Sequence, residues 1–531
     1  MKRVCKGKDV ASMAEAVRQA YTEGQEEELF EPIVAVDSRG DMYGKIREGE
    51  CVIFYNIRGE REIQLTQAIM DPHFSHFQRA SGQPVRMATM IEYQEDLPVE
   101  VAFPPLGRVE NTLGEVLSNR GIRQVRVVES EKAIHVSYFL NGKVEDPLPL
   151  EDRVFVPSNR EVRNFDELPE MSVAEVSATL VAKLREGAYP FILGNFANVD
   201  VVGHMENEEA VGKAIQVVDA QTGVVVEEAQ EQGYVTLITA DHGTVEKRLY
   251  PDGSIDTGHS DSPVPFVLIP PTGPVQVGLR SGGSLVDVAP TILEILGVPI
   301  PGEMTGKSLL TGIEKGADAG CLCEGQPRVL LLILDGWGHK PTEQGNLIAQ
   351  TPTPIMDRLT GTYPWTILEA AGMAVGMPEG SVGNSECGHL HIGAGRVIPS
   401  DRVRIDEAIR TGAFYENEAF RWAIAPCREE GKALHLLGIV SFYSSHGSLD
   451  HLFALLEMAK REGVEKVYIH SLLGRRGERP ESGAIYVDKV EKKAVELGVG
   501  EVVTVMGRYW AMDREHNWDR IEKAYRALVG D

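Results

Sequence analysis

The sequence predicts an α/β protein built on parallel sheets, and two patterns indicate this class. Short aliphatic segments typical of buried strands alternate with longer amphipathic segments typical of helices over most of the chain. The apolar character of the predicted strands is nearly continuous, as expected for strands that helices cover on both faces. The chain has 531 residues, a length that accommodates roughly two to four domains.

Three segments give the clearest strand predictions and three give the clearest helix predictions. The predicted strands are residues 189–195, 234–240 and 329–337, and the predicted helices are residues 174–186, 210–231 and 286–296. Polar side chains collect at the carboxyl ends of these strands or just after them. Because ligands of open α/β sheets bind beyond the carboxyl ends of the strands, those side chains are the first candidates for a functional site.

The composition and charge limit the partners of this chain. Hydrophobic residues make up 43% and charged residues 25% of it, values typical of a globular protein, and the formal net charge is −26. We therefore expect neither nucleic acid nor an anionic membrane surface as a partner. The longest aliphatic run, residues 329–334, is far shorter than the ~20 residues of a membrane span, and residues 1–6 lack the apolar core of a secretory signal. Anionic substrates would require cations concentrated at the site, as metals or as clustered arginine and lysine.

The cysteines show no disulfide framework. They are Cys5, Cys51, Cys321, Cys323, Cys387 and Cys427. Their scattered spacing matches neither a stapled secreted domain nor a zinc knuckle. We expect reduced thiols and a cytoplasmic protein.

Acids and histidines recur at the ends of the three predicted strands or in the loops after them. They are Asp335 at the end of the third strand, Asp200 and His204 after the first, and Asp241 and His242 after the second, with His259 further along. The i, i+4 spacing of Asp200 and His204 puts both on one face of a helical turn. One such acid beside a glycine is more often part of a turn, but convergence at several strand ends favours a metal site. Mixed Asp and His ligands suit Mn or Zn better than Mg.

A serine in a glycine-rich turn is the candidate nucleophile. Ser385 lies in Gly-Asn-Ser-Glu-Cys-Gly-His, residues 383–389, ahead of a predicted helix at 388–393. Glycines let the backbone approach a phosphate, and a helix N-terminus stabilises an anion. A bound divalent metal would activate the hydroxyl by stabilising its alkoxide. Two other interpretations stay open: a serine that only caps the helix, and Cys387 as the nucleophile, although no phosphate-binding cradle accompanies it.

These motifs resemble those of the cofactor-independent (2,3-bisphosphoglycerate-independent) phosphoglycerate mutases of the alkaline phosphatase superfamily. The resemblance covers nearly the whole chain apart from residues 311–326. It implies an alkaline-phosphatase-like α/β core domain, a second, smaller α/β domain formed from both chain ends, and two divalent metal ions, with Mn expected and Zn or Co as alternatives. One metal site would contain Asp335, Ser385, Asp241 and His242, the other Asp200, His204 and His259, and the catalytic Lys132 would lie beside the phosphorylated Ser385.

The resemblance also implies that the smaller domain binds the substrate, a small phosphorylated carboxylate. The matching substrate-binding residues are Arg58, Arg61, His446, Arg476, Arg508 and Arg514. The segment order differs from the family, because its usual C-terminal segment lies at 301–309 and its usual N-terminal strand follows at 329–337. We therefore expect a circularly permuted chain in which residues 311–326 join the family's usual termini. The expected domains are residues 108–400 for the phosphatase-like part and residues 1–107 with 401–531 for the substrate part.

Two loops of the smaller domain depart from the family pattern. Residues 442–448 keep only His446 of three landmark polar positions, and residues 474–477 lack both acids, including the one expected to handle the proton of the glycerate hydroxyl. Thr244 replaces an asparagine of the family.

These observations favour an isomerase, a monomer in the cytoplasm, that interconverts 3-phosphoglycerate and 2-phosphoglycerate in glycolysis through a phosphoserine intermediate. One alternative is a hydrolase or a phosphoryl or phosphonyl transferase for a related phospho-carboxylate in specialised metabolism, which the altered loops favour. The other is a non-catalytic relative that binds an anionic metabolite.

Overall fold

The computed structural model describes residues 1–6, 8–79, 85–159, 162, 164–273, 277–312, 322, 325–441, 443–474 and 481–530. The chain forms two compact units, each with its own hydrophobic core. The smaller unit combines Met1–Pro105 with Asp401–Asp531, and the larger unit is Leu106–Ser400. No helix in the described part of the chain is both long and apolar enough to cross a membrane.

The strands and helices alternate along the chain. The strands are β1 Lys2–Val4, β2 Ile33–Ala35, β3 Cys51–Phe54, β4 Arg86–Ile91, β5 Glu100–Phe103, β6 Gln124–Glu129, β7 Glu151–Val156, β8 Phe191–Phe196, β9 Val235–Thr239, β10 Val264–Ile269, β11 Gly278–Leu279, β12 Gly283–Ser284, β13 Leu310–Thr311, β14 Val329–Leu334, β15 Trp365–Glu369, β16 Leu434–Ile439, β17 Tyr443–Ser444, β18 Gly447–Ser448, β19 Val467–Leu473 and β20 Glu501–Gly507. The α-helices are α1 Met13–Thr22, α2 Ile63–Met70, α3 Leu113–Asn119, α4 Val173–Glu186, α5 Asn198–Gly203, α6 Glu208–Glu231, α7 Val288–Ile295, α8 Leu347–Gln350, α9 Pro354–Thr362, α10 Ser385–Ala394, α11 Asp401–Thr411, α12 Glu418–Glu430, α13 Leu449–Arg461, α14 Gly483–Leu497, α15 Arg508–Ala511 and α16 Trp518–Val529.

The sheet of the larger unit has the strand order β12-β15-β10-β9-β14-β8-β6-β7. Its central strand, β14, is parallel to both neighbours, β8 and β9, and every residue of β14 is buried. In the register, Leu334 pairs with Phe196 and Ile333 with Thr239, so these three strands end at one edge of the sheet. Parallel strands buried on both faces confirm the predicted α/β class.

The sheet of the smaller unit has the order β1-β2-β20-β19-β16-β3-β4-β5. Strands from the start of the chain pair with strands from its end, as where β3 lies parallel to β16. β2 and β20 are antiparallel, and the other pairs in this sheet are parallel. The prediction of a smaller α/β domain formed from both chain ends is confirmed.

Two element boundaries differ from the prediction for clear physical reasons. β14 ends at Leu334 rather than at residue 337, because the chain turns at Gly336, whose φ is +79°. α10 begins at Ser385 rather than at residue 388, because the side chain of Asn384 caps the helix by accepting a hydrogen bond from the Cys387 amide at 2.9 Å. The helix cap is therefore Asn384, and Ser385 is the first helical residue.

The predicted linker at residues 311–326 lies mainly outside the described residues. At its start, Leu310–Thr311 pairs with Gly278–Leu279 in a short antiparallel sheet.

Candidate active site

Ser385 lies beside a buried lysine at the carboxyl edge of the larger sheet. Lys132 ends the short helix Ser130–Lys132 that follows β6, and its Nζ lies 2.6 Å from Ser385 Oγ. The same Nζ is 2.6 Å from Asp335 Oδ1 and 2.7 Å from Asp200 Oδ2. All four side chains are buried. The lysine thus holds the serine hydroxyl and two carboxylates around one ammonium group.

Asp241 and His242, from the loop after β9, complete the surroundings of the serine. His242 Nε2 lies 2.9 Å from Ser385 Oγ and 3.4 Å from Asp241 Oδ2. It also lies 3.7 Å from Asp335 Oδ1. The structure therefore brings Asp335, Ser385, Asp241 and His242 together as one group of potential ligand atoms.

A second group surrounds Asp200. Helix α5 carries Asp200, and His204 follows the end of that helix, so both side chains lie on one face. Asp200 Oδ1 is 3.4 Å from His204 Nε2 and 3.2 Å from His259 Nε2. The two Nε2 atoms are 3.2 Å apart. These three side chains therefore converge on one point.

Hydrogen bonds to the backbone fix the tautomer of three histidines. The contacts are His204 Nδ1 to Thr257 O at 2.8 Å, His259 Nδ1 to Gly383 O at 3.0 Å, and His242 Nδ1 to Gly243 O at 3.1 Å. A carbonyl oxygen only accepts hydrogen bonds, so each Nδ1 carries a proton, and in the neutral ring each Nε2 presents a lone pair. Facing lone pairs repel unless a cation lies between them, and this is the arrangement of histidines that bind a metal.

The charges of the site fit divalent metal ions. Burial and the neighbouring Asp241 raise the pKa of Asp335. Burial opposes the charge on Lys132, but Asp335 and Asp200 outweigh it and raise the pKa of the lysine. One ammonium therefore faces three buried carboxylates, and the excess negative charge favours binding of further cations.

Asn195 and His389 also belong to the site, although sequence reasoning did not identify them. Asn195 Nδ2 donates to Asp335 Oδ2 at 2.8 Å and lies 3.1 Å from His389 Nε2. His389 Nδ1 donates to the Ser385 carbonyl at 2.9 Å. His389 therefore orients the serine turn directly and Asp335 through Asn195. Its Nδ1 also lies 3.3 Å from Asp241 Oδ2, so His389 belongs with Asp241 and Asp335 to a group of side chains that could hold a metal ion. Its position one helical turn after Ser385 was the available signal.

Glu246 and Thr244 connect the two ligand groups. Thr244 Oγ1 donates to Asp200 Oδ1 at 3.1 Å, and the Thr244 amide donates to Glu246 Oε2 at 3.0 Å. The other oxygen of Glu246 accepts a hydrogen bond from Ser260, the neighbour of His259. Glu246, which is fully buried, thus connects the loop of the first group to the segment that carries His259 of the second.

In the smaller unit, the structure brings three of the predicted substrate-binding arginines together. Glu60 lies 3.4 Å from Arg58 and 2.8 Å from Arg514. Arg61 Nη1 donates to the Met512 carbonyl at 3.2 Å, next to the Arg514 segment. Arg58 and Arg514 therefore share one carboxylate, and Arg61 binds the segment that carries Arg514.

The remaining predicted residues of this unit have separate positions. Arg508 is the first residue of α15, after β20, and Arg476 lies outside the described residues. His446 Nδ1 is 3.2 Å from Oε1 of Glu62, a fully buried carboxylate that sequence reasoning missed. Asn56 donates to the same oxygen at 2.6 Å, so Glu62 orients His446 from inside the unit.

Comparison with known proteins identifies the family. The family model described as "Metalloenzyme superfamily" matches residues 7–300, more than half of the chain. The chain belongs to the Metalloenzyme superfamily. A second model, described as "BPG-independent PGAM N-terminus", matches residues 405–531.

Curated relatives share part of the sequence. The 2,3-bisphosphoglycerate-independent phosphoglycerate mutase of Cyanothece sp. is 43% identical over 277 residues, which cover 51% of this chain and 52% of the relative. That of Thermomicrobium roseum is 42% identical over 315 residues, covering 58% and 60%. The chain thus spans about half the length of the curated relatives it matches. A crystal structure of Leishmania mexicana phosphoglycerate mutase at low cobalt concentration aligns over 52% of this chain and 54% of that chain, with 29% identity and a TM-score of 0.38.

We expect the Asn195→Leu variant to bind divalent metal about 10- to 100-fold more weakly, because it removes the hydrogen bond that orients Asp335. Titration of the metal-free protein with Mn²⁺, followed by electron paramagnetic resonance, measures this change. Gln124→Leu is the matched control, since Gln124 is another buried side-chain amide; it lies at the start of strand β6 and donates to the Gly114 carbonyl. Equal affinities of the Asn195→Leu variant and the wild-type protein would contradict the role given to Asn195.

Proposed function

We propose that this chain transfers a phosphoryl group through Ser385 and interconverts 3-phosphoglycerate and 2-phosphoglycerate. The observation that carries the proposal is the buried Ser385 Oγ, held 2.6 Å from Lys132 Nζ and 2.9 Å from His242 Nε2. Sequence identity of 43% and 42% with phosphoglycerate mutases supports the choice of substrate.

The donor sets support two divalent metal ions, with Mn proposed and Zn or Co as alternatives. One ion would be held by Asp335, Ser385, Asp241 and His242, and the other by Asp200, His204 and His259. When bound, the ions neutralise phosphate charge and make the serine hydroxyl more acidic.

The residues of the chain perform the transfer in two steps. Ser385 Oγ attacks the phosphorus of the phosphomonoester, the bond from phosphorus to the ester oxygen breaks, and the serine proton passes in net terms to that oxygen. Lys132 stays protonated and pairs with the charge on the phosphoryl oxygens. Attack by the other hydroxyl of the glycerate reverses these bond changes and regenerates Ser385.

The free acid is bound by the arginines of the smaller unit. Arg58, Arg61, Arg508 and Arg514 offer planar guanidinium groups that match carboxylate and phosphate. We propose that they retain the glycerate while it changes the oxygen that it presents. His446 and Arg476 contribute to the same binding.

We expect the Arg58→Met and Arg514→Met variants each to raise KM about 10- to 100-fold, since a charge-assisted hydrogen bond contributes roughly 1.5–3 kcal/mol. The turnover number should change much less, because the proposed role of these arginines is to bind the glycerate, whereas Ser385 carries out the bond changes. Steady-state kinetics with 3-phosphoglycerate measure both constants. Arg39→Met is the control, because Arg39 is 84% exposed in the same unit. A large fall in kcat with an unchanged KM would contradict the binding role.

A hydrolase, or a phosphoryl or phosphonyl transferase for a related phospho-carboxylate, is the second candidate function. The observation that favours it is the absence of both family acids from residues 474–477. Phosphorus NMR of the Mn-loaded protein with 3-phosphoglycerate, without 2,3-bisphosphoglycerate, separates the candidates. Formation of 2-phosphoglycerate supports the mutase. Formation of inorganic phosphate alone, or no reaction, would reject it.

We also propose that the chain is circularly permuted relative to the family. The family model for an N-terminal segment matches residues 405–531, at the end of this chain, which supports the proposal. Glu31 lies 3.5 Å from the amino group of Met1 and 2.5 Å from Lys523, so Met1 and helix α16 share one carboxylate.

We expect a chain that joins residue 531 to Met1 by a short glycine linker and opens after Thr311 to keep its fold and turnover. Thermal unfolding and steady-state kinetics of the rearranged chain measure these properties. Loss of cooperative unfolding would contradict the permutation.

We propose that the protein is a monomer located in the cytoplasm. The described cysteines, Cys5, Cys51, Cys387 and Cys427, are free thiols, which supports a reducing compartment. Light scattering of the purified protein tests the monomer, and a mass of two chains would reject it.

A further inference from the structure

We propose that Arg248 is a positioning residue that holds the metal ligand His204 in place for the second metal ion. The inference rests on the proposed function, because it requires His204 to bind a metal. Arg248 follows the Asp241–His242 loop in sequence but is not itself a potential ligand.

The side chain of Arg248 forms hydrogen bonds with the backbone on both sides of His204. Its Nη1 donates to the carbonyl of Gly203, and its Nη2 donates to the carbonyl of Met205 at 2.7 Å. Arg248 is fully buried. One planar guanidinium thus fixes the residues immediately before and after the ligand, which sets the direction of its side chain.

The backbone of Arg248 acts on the same histidine from the other side. The Arg248 carbonyl accepts a hydrogen bond from the Asp256 amide at 2.7 Å. The next residue, Thr257, supplies the carbonyl that accepts the His204 Nδ1 proton at 2.8 Å. Arg248 therefore orders both the main chain that carries His204 and the carbonyl that fixes its tautomer.

Burying the guanidinium of Arg248 costs desolvation free energy, and this cost indicates that the arginine has a specific role. Burial lowers the pKa of the Arg248 guanidinium, which shows the cost of keeping its charge away from water. Among the described residues, no carboxylate lies within ion-pair distance of it, and its side-chain bonds to the protein go to the carbonyls at the end of helix α5. An apolar side chain of similar length would fill the space at a lower cost in desolvation.

The helix that carries Asp200 needs such support. Helix α5 has 6 residues, and helices this short are unstable without tertiary contacts. The carbonyls at its C-terminal end carry partial negative charge, which a guanidinium stabilises. The two hydrogen bonds from Arg248 to the backbone thus maintain the spacing between Asp200 and His204.

We expect the Arg248→Met variant to bind one equivalent of Mn²⁺ as the wild-type protein does and the second about 10- to 100-fold more weakly. Titration with Mn²⁺ followed by electron paramagnetic resonance counts the equivalents and their affinities. Arg248→Lys keeps the charge but lacks the planar guanidinium that donates to both carbonyls. It should therefore show the same selective loss of affinity for the second equivalent of Mn²⁺. Arg280→Met is the matched control, because Arg280 also donates to two backbone carbonyls, those of Lys307 and Ser308, in the same unit.

Hydrogen exchange provides a second readout that needs neither metal nor turnover. In the metal-free protein, amides of residues 198–205 should exchange at least about 10-fold faster in Arg248→Met than in the wild type. In Arg280→Met their exchange rates should equal those of the wild type. If Arg248→Met does not fold, the same comparison is made with Arg248→Lys.

The two readouts separate the possible failures. Two Mn²⁺ equivalents of wild-type affinity in both Arg248 variants, or unchanged exchange at residues 198–205, would overturn the role of Arg248. If the wild-type protein itself binds fewer than two equivalents, the two-metal centre of the proposed function fails instead. The exchange rates still decide whether Arg248 holds the segment.

Discussion

Replacing Ser385 with alanine is expected to lower phosphoryl transfer by at least about 10⁴-fold, because the variant has no oxygen to accept the phosphoryl group. Ser385 Oγ is the atom on which Lys132 Nζ and His242 Nε2 converge, at 2.6 and 2.9 Å. The fold should survive, since the helix is capped by Asn384 and not by the serine. Steady-state turnover of 3-phosphoglycerate by the metal-loaded protein measures the loss.

Two control variants distinguish nucleophile loss from general damage. Ser177→Ala removes another buried hydroxyl of the same unit, in helix α4, and should keep full turnover. Cys387→Ala should also keep it, because burial and the neighbouring Glu386 raise the pKa of the Cys387 thiol to about 11, leaving it protonated at neutral pH. Substantial turnover in Ser385→Ala, or its loss in Cys387→Ala, would move the nucleophile to another residue.

Replacing Lys132 with methionine is expected to lower turnover about 10²- to 10³-fold, the usual effect of removing one preorganised charge from a transition state. Lys132 lies between Asp200, Asp335 and Ser385, and its side chain is only 6% exposed. Removing it leaves buried carboxylates without a cation. The free energy of unfolding of the metal-free variant should therefore fall by about 3–5 kcal/mol.

The dependence on metal of the destabilisation in Lys132→Met tests its proposed cause. Denaturant unfolding should show a destabilised metal-free variant whose stability largely returns when Mn²⁺ is added, because the added charge replaces the ammonium. Lys213→Met is the control, since Lys213 forms an exposed ion pair with Glu170 in the same unit. A metal-free Lys132→Met variant as stable as the wild type would contradict the charge balance described for the site.

The fold class was predictable because it depends on repeating patterns. Nearly continuous apolar strands alternating with amphipathic helices define buried parallel sheets, and the rule for strand ends then indicates where ligands gather. Asp335, Asp200 and Asp241 were found in this way, because each follows β14 or one of its two neighbours, β8 and β9. The helical spacing of His204 from Asp200 follows from the same local geometry.

Residues that act through other residues escaped the sequence reasoning. Asn195 lies inside strand β8 and looks like a core position, yet its amide orients Asp335. Glu62 precedes helix α2 and resembles an ordinary surface acid, whereas the fold buries it beside His446. Arg248 gives no local signal, because its partners Gly203 and Met205 lie more than 40 positions earlier. Such roles depend on tertiary contacts that spacing does not encode.

The measurement that tests phosphoryl transfer through Ser385 most directly is mass spectrometry of the enzyme quenched in acid during turnover. The Mn-loaded protein is mixed with 3-phosphoglycerate, stopped within milliseconds and digested, and the peptide containing residues 383–389 is examined. We expect phosphate on Ser385 in this sample and none in a parallel sample treated with a chelator. Turnover with an unmodified Ser385 peptide, or phosphate on another side chain, would contradict the proposed role of this serine.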